Sequence, residues 1–433
     1  MYISRIALDT FRSWNHIICD FKPGINVIYG NNGLGKTNIV EALEVTGTGI
    51  SHRTSSTLPL IKKGYEKSII RINTINNEIN YKKDETNTDL NNISSLESNL
   101  DKTTYEIDLY LKGSNRAHIN SGKALYVKDI IGLLPIVSFT PRDQFLIIGD
   151  PNVRRTFIDQ AGSLLVPNYV QILQEFKHIS KQRAALLKNI RDYSYKNQTV
   201  SLSGLEIWTG KFIESGINLT KARQETVQII NKYFKNIIKS FTNEENTEII
   251  YVPSFEEVLF EKNIDESIEN KNELFSKISE HFQRIYEGEL ARGCNLIGPH
   301  RDDIDFVINN ISAKDFASNG ESWTIAIASK MALCKALEEK NNNKPIVILD
   351  DVFAQLDENR RIRILNFALN QGQVFITTSS LSDIPNEEYI KKTNLINIGK
   401  LLEKNNEINN FSEEHNNILL DLIEQRKNKQ EEK

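Results

Sequence analysis

No apolar run in this chain of 433 residues reaches the ~18 residues that a membrane-spanning helix needs, so no such helix is expected. The first residues, Met1 to Ile6, carry neither the charged nor the apolar region of a signal peptide. Cysteine is scarce. Cys19, Cys294 and Cys334 are odd in number, scattered and without metal spacing. That argues against a disulfide framework and for a reduced, cytoplasmic protein. An excess of either charge is also lacking. The formal net charge is −4, so any surface for nucleic acid must be a local basic face. What remains is ordinary. With 39% hydrophobic and 25% charged residues the chain has material for a sizeable core, and its length allows two or three domains.

One stretch organises the rest: Gly30-Asn31-Asn32-Gly33-Leu34-Gly35-Lys36-Thr37. It fits G-x-x-x-x-G-K-[ST], the P-loop, and lies between an apolar segment, Gly24–Tyr29, and a helix-like segment, Asn38–Leu43. Glycines let the backbone curl around a phosphate without Cβ clashes. The curled N–H groups and the helix N-terminus then face it with positive dipole. Lys36 is expected to reach the β- and γ-phosphates of ATP, and the Thr37 hydroxyl to ligate Mg²⁺.

An acidic element answers it, with Asp350 lying 314 residues after Lys36. Ile346-Val347-Ile348-Leu349 ends in Asp350-Asp351, a Walker B pattern. Asp350 is expected to hold Mg²⁺, mostly through water, and Asp351 to orient or deprotonate the attacking water. Further strands are expected at Ile3–Leu8, Ile17–Phe21, Ile69–Ile75, Ile79–Lys82, Tyr105–Leu111, Arg116–Ile119, Ile136–Thr140 and Gln373–Thr378. Arg12, in the first turn, is either a surface residue or a cover for the nucleotide base. Residues 84–103 and about 261–273 are Asn-rich or Glu-rich and read as insertions.

From about residue 150 the pattern turns helical. Ile172, Phe176, Ile179, Arg183, Leu186 and Ile190 recur at steps of 4 and 3. So do Leu205, Trp208, Phe212, Ser215, Leu219, Ala222, Thr226, Ile229 and Tyr233. Two such seams separated by the polar stretch 192–203 predict an antiparallel helical hairpin. Residues 153–196 carry eight bases against three acids, whereas 244–289 carry 13 acids against four bases. A basic arm on an acidic protein suits phosphate contacts with DNA. Lys181, Lys188 and Arg191 lie off the seam and are the candidates, at one to three turns' spacing. Arg183 occupies a seam position and reads as structural.

Motif order then carries a resemblance. The P-loop, Ser51-His52-Arg53, Arg154-Arg155-x-Phe157-Ile158-Asp159, Gly298-Pro299-His300-Arg301-Asp302-Asp303, Ser318-x-Gly320 and Leu349 through Asp357 follow one another as in the RecF family. These are bacterial recombination mediators similar to the ATPase heads of Rad50 and SMC proteins. The resemblance extends to about residue 400. It implies an α/β fold: an ABC-type P-loop ATPase head, SMC/Rad50-like, with an inserted helical arm in the form of a short antiparallel coiled coil. The implied domains are a head from 1–150 and 295–400, an arm from 151–294 and a polar charged tail from 401–433.

The resemblance further implies that Ser318 and Gly320 of one subunit contact the γ-phosphate held by another, so that ATP drives a homodimer. It implies a weak ATPase that binds single-stranded and double-stranded DNA, and their junctions, when ATP-bound, and that releases DNA on hydrolysis. RecR, RecO and RecA-type proteins are the implied partners, with loading of RecA on gapped DNA and support of the SOS response as the outcome. Two departures stand out. Glu321-Ser322-Trp323 replaces the commoner Gln-Gln-Arg after Ser-x-Gly. Thr377 and Thr378 stand where ABC proteins carry a switch histidine, and a threonine there can hold a water or phosphate oxygen but is no strong base. A transporter subunit would need about half the spacing between the two Walker motifs, and an SMC-like tether a much longer coiled coil.

Overall fold

The computed structural model describes residues 1–54, 56–76, 101–194, 204–242, 246–260, 268–384 and 393–405, and the statements below concern these. The expected strand Ile79–Lys82, nearly all of the 84–103 insertion and the tail beyond 405 lie outside them.

In chain order the elements are β1 (Tyr2–Asp9), β2 (His16–Asp20), β3 (Gly24–Tyr29), α1 (Lys36–Thr48), β4 (Lys67–Asn76), β5 (Asp101–Tyr110), β6 (Arg116–Ile119), β7 (Leu125–Tyr126) and β8 (Ile136–Phe139). Next come α2 (Phe145–Ile148), α3 (Pro151–Leu165), α4 (Tyr169–Ser194), α5 (Leu205–Thr242), β9 (Thr247–Val252), α6 (Ile268–Arg292), β10 (Asp303–Ile308), β11 (Ile311–Ser312), α7 (Ala313–Phe316) and α8 (Asn319–Asn341). The chain closes with β12 (Ile346–Asp350), α9 (Glu358–Leu369), β13 (Gln373–Thr378) and β14 (Asn394–Asn397). These elements fall into two compact units, one from 1–141 and 343 onward, the other from 142–342.

The first unit holds two sheets. One is antiparallel, in the order β2-β1-β4-β5-β6-β7. Its strands alternate: Ile70 and Ile72 are buried on one face, while Arg71 on the other pairs with Asp9 and Glu106. The second sheet is parallel, in the order β14-β3-β13-β12-β8. Its inner strands β12 and β13 are buried at every position, as expected of a parallel sheet covered on both faces. The ladder sets Thr377 opposite both Asp350 and Ile28. The C-terminal ends of β3, β13 and β12 therefore share one edge, the usual ligand-binding position in open α/β sheets.

α1 packs on the parallel sheet and brings the two sheets into one core. Leu43, Ile6, Leu8, Ile348 and Phe375 are buried in the same cluster. A Cβ on Gly47 would come within 2.7 Å of the Leu134 carbonyl, so glycine is what allows α1 to lie this close to the segment before β8.

The second unit is built around α5. Burial follows the predicted seam through Leu205, Phe212, Ser215, Leu219, Ala222 and Thr226. Trp208, Ile229 and Tyr233, expected on the seam, are only partly buried: the stripe moves by one residue to Ile230 and Phe234, and Ile213, Val227 and Ile238 are buried as well. The reason is that α3, α6, α8 and β9 pack on α5 in addition to α4. The seam of α4 holds Phe176, Ile179, Arg183, Leu187 and Ile190, with Leu187 buried where Leu186 was expected to be. A small antiparallel sheet, β11-β10-β9, completes the unit. Residues 268–273, read as part of an insertion, form the start of α6.

Candidate nucleotide site

The loop between β3 and α1 is shaped by its glycines. Gly30, Gly33 and Gly35 have φ of 139°, 85° and 88°, a region that side chains disfavour. Two of them are also places of close approach. A Cβ on Gly35 would lie 2.7 Å from the buried Trp14 ring, and one on Gly30 would lie 2.7 Å from Ile398. Gly35 caps α1, so the helix N-terminus opens onto the loop.

Lys36 turns back into this loop. Its ammonium donates to the carbonyls of Gly30 at 2.7 Å and Asn31 at 3.0 Å, and lies 3.4 Å from Asn32 Oδ1. Burial lowers the Lys36 pKa, against the opposing charges of Asp351 and Asp350. Thr37, one residue on, donates its hydroxyl to Asp350 Oδ1 at 3.0 Å. Thr377 donates to the same oxygen at 2.6 Å. Asp350 is almost fully buried, and burial raises its pKa despite these hydroxyls and nearby His52. Asp351 is less enclosed. Burial and the charge of Asp350 raise its pKa as well, opposed by Lys36. The Thr377 and Thr378 hydroxyls are both engaged within the protein, Thr377 on Asp350 and Thr378 on Ser380 and Asp383.

Asp350 is surrounded by side chains to which the sequence alone assigns no role, His52 of the Ser51-His52-Arg53 motif among them. Helix α1 buries two carboxylates one turn apart, Glu41 and Glu44, and the Ser51-His52-Arg53 loop neutralises both. Glu41 accepts from Arg12 in bidentate fashion, from Ser51 Oγ and from Arg53. Arg12 thus braces α1 through Glu41. It also lines an open cleft of about 850 Å³ together with Ser13, Asn38, Arg53, Lys62 and Lys63. Glu44 accepts from the His52 ring at 2.6 Å, from its backbone N–H and from Ser138. The far ring nitrogen of His52 stands 3.6 Å from Asp350 Oδ2, an ion-pair distance. Burial alone would lower the His52 pKa, but Glu44, Asp350 and Glu41 reverse this and raise it. The signal in the sequence was two acids, Glu41 and Glu44, set among the apolar residues Ile39, Val40, Ala42, Leu43 and Val45 of α1.

In the second unit Ser318 caps α8. Its Oγ accepts from the Glu321 N–H and its own N–H donates to the Glu321 carboxylate, a reciprocal capping box. Glu321 thus has a local role, Trp323 is buried, and α8 begins at Asn319, directly after its Ser318 cap. The Gly298–Asp303 motif is structural here. Gly298 has φ 127°, and a Cβ there would meet Phe212 at 2.6 Å. Arg223 binds the Pro299 carbonyl, Asp302 and Asp159, while Arg154 pairs with Asp303. Arg183 is buried against Glu289, between the rings of Phe212 and Phe282. Lys181 and Lys188 are exposed. Arg191 differs from the outward position expected of it: it is half-buried and donates to Asp192 and to the Arg292 carbonyl at the end of α6.

Comparison with known proteins agrees with this geometry. The family model described as RecF/RecN/SMC N terminal domain matches residues 2–396. The chain is 50% identical over 394 residues to the DNA replication and repair protein RecF of Bifidobacterium adolescentis, covering 90% of each. It is 31% identical over 406 residues to the RecF protein of Renibacterium salmoninarum, covering 89% of this chain and 96% of that one. A solved structure of the recombination mediator protein RecF with ATP, in the RecFOR pathway, superposes with a TM-score of 0.73 at 27% identity. That match covers 89% of this chain and 94% of the other.

Proposed function

Since the chain belongs to the RecF family of DNA replication and repair proteins, we propose that it is an ATP-driven DNA-binding switch with weak ATPase activity. The observation that carries this reading is the meeting of Lys36-Thr37 with Asp350 across more than 300 residues of sequence. The likeness to a RecF solved with ATP supports ATP as the ligand. In this reading the amides of Asn31 to Lys36 and the α1 N-terminus cradle the phosphates, and the Lys36 ammonium exchanges loop carbonyls for phosphate oxygens. Asp351 accepts the proton of the attacking water, and its raised pKa makes it a better base than an exposed aspartate.

Thr37 and Asp350 are hard oxygen donors 3.0 Å apart, a set suited to Mg²⁺. When bound there, Mg²⁺ would neutralise charge on the β- and γ-phosphates. Ser318 and Gly320 open a helix N-terminus that, from a second copy, would meet the γ-phosphate and make ATP the link of a homodimer. The domain division that accompanies this is a head of 1–150 with 295–400, an arm of 151–294 and a tail of 401–433, in a cytoplasmic protein. Lys181 and Lys188 on the arm would contact DNA, single-stranded, double-stranded or at junctions between them. RecR, RecO and RecA-type proteins are the proposed partners, in loading RecA on gapped DNA and in the SOS response.

The test is DNA binding with ATP, with ADP and without nucleotide, on gapped, duplex and single-stranded substrates, alongside phosphate release. Tight binding only with ATP is the expected result. Binding that ignores nucleotide would sink the switch.

A further inference from the structure

The turn after β12 departs from ordinary backbone. Asp351 has φ 52°, in the left-handed region that few residues with a side chain enter. Such a conformation persists only where its surroundings hold it, and it marks sites where geometry matters. Here the holder is one residue on the neighbouring strand. The Asp351 N–H lies 3.0 Å from Thr377 Oγ1 and 3.2 Å from the Thr377 carbonyl. The same hydroxyl gives its only proton to Asp350 Oδ1, at 2.6 Å. Thr377 is buried, and the β12–β13 ladder fixes it directly opposite Asp350. One hydroxyl therefore spans both acids, accepting from the backbone of one and donating to the side chain of the other.

We propose that Thr377 is a positioning residue for ATP hydrolysis, holding Asp351 in the left-handed turn that presents its carboxylate to the attacking water. The proposal rests on the reading of Asp351 as the base. Thr377 touches neither water nor phosphate in this scheme and acts through Asp351. It explains why a threonine can occupy the place of a switch histidine: the position is used to shape the acidic turn from behind. The rigid placement comes from a buried ladder rather than a loop, which favours precision.

Thr377→Val keeps the shape of the side chain and removes the hydroxyl, whereas Thr377→Ser keeps the hydroxyl. The experiment measures single-turnover ATP hydrolysis, ATP affinity in EDTA and melting temperature for both, for Asp351→Asn and for Thr377→Val with Asp351→Asn. Thr377→Val is expected to slow hydrolysis by roughly 10–100-fold, part of what a positioned base contributes. ATP affinity in EDTA should stay within about twofold and Thr377→Ser should recover most of the rate, as expected of a residue that acts on the chemical step alone. In the Asp351→Asn background the valine should cost nothing further, as expected if one residue works through the other. A wild-type rate in Thr377→Val, a serine variant as slow as the valine, or a full additional loss in the double variant would each overturn the proposal. Asp351→Asn hydrolysing at the wild-type rate would overturn the reading of Asp351 as base, and this inference with it.

Discussion

Thr37 Oγ1 lies 3.0 Å from Asp350 Oδ1, although 313 residues separate them in the chain. The contact joins the end of the P-loop to the end of β12, and it exists because β3 and β12 flank β13 in one parallel ladder. The predictions for nucleotide chemistry follow from that edge.

Lys36→Arg should bind ATP yet hydrolyse it at least ~100-fold more slowly, the scale of losing one well-placed donor. Lys36 fits between the carbonyls of Gly30 and Asn31 as a compact point charge, and a planar guanidinium does not reproduce that placement. Nucleotide titration and phosphate release on the same sample separate the two effects. Wild-type turnover in the variant would remove Lys36 from the mechanism.

Asp351→Asn should keep ATP and accumulate as the ATP-bound dimer, because asparagine tolerates the left-handed backbone at 351 and lacks only the basic carboxylate. Gel filtration with ATP gives the answer. A purely monomeric elution profile would contradict either the base or the dimer.

For DNA, the informative variant is Lys181→Ala with Lys188→Ala, since both side chains are exposed while Arg191 is engaged at the end of α6. Losing two phosphate contacts should flatten the slope of log K against log salt by about 1.8 units on duplex DNA. Hydrolysis without DNA should not change. An unaltered slope would mean that these lysines are a solvated face.

Arg183→Ala should destabilise the second unit by about 3–5 kcal/mol, because Glu289 would be left charged and buried. The change should appear as a lower urea midpoint. Arg183→Met with Glu289→Leu removes both charges and should recover much of the loss. If the single variant unfolds at the wild-type midpoint, the pair carries no stability.

The Glu44–His52 pair should make stability depend on pH. The His52 pKa is raised above its ordinary 6.5, so its contribution is complete below 6.5 and fades as pH rises through the folded value. Glu44 is held below its ordinary 4.5 by His52 and Ser138 against the effect of burial, so its contribution is present above 4.5 and fades as pH falls through its folded value. The melting-temperature difference between wild type and His52→Asn should therefore be greatest below pH 6.5 and shrink as pH rises above it. A difference that does not shrink with rising pH would mean that no raised His52 pKa contributes to stability.

Much of the head could be read directly. The P-loop, the acidic strand end and nine of the strands could be read: β3, β8, β12 and β13 as apolar runs of a parallel sheet covered on both faces, and β1, β2, β4, β5 and β6 by the partial alternation of an antiparallel sheet with one buried face. The seam on α4 and α5 was legible from apolar residues recurring at steps of 3 and 4, the period of a buried helix face. Other features were hidden. The start of α8 was signalled by Ser318 and Glu321 at capping-box spacing, but motif order drew attention to a different role for the serine. β9 sits beside an acidic stretch whose composition masks a strand of only six residues. Glu41 and Glu44 look like helix-surface acids until the fold supplies their counter-charges, Arg12 from upstream and Arg53 from downstream for Glu41, and His52 for Glu44. The inward turn of Arg191 depends on the carbonyl of Arg292, which no local pattern announces.

The strand order has a consequence for synthesis of the chain. β3 carries the P-loop and is made among the first thirty residues, yet both of its neighbours, β13 and β14, are made near the end. A ribosome adding about 5–20 residues per second needs about 20–70 s to cover the interval. Throughout that time β3 has no partner on either edge, and an unpaired apolar strand invites pairing with other chains. The nucleotide loop thus cannot close until synthesis is nearly finished. A nascent chain stalled before Gln373 should be a client for chaperones that cover bare strand edges, and a chain released after Asn397 should not.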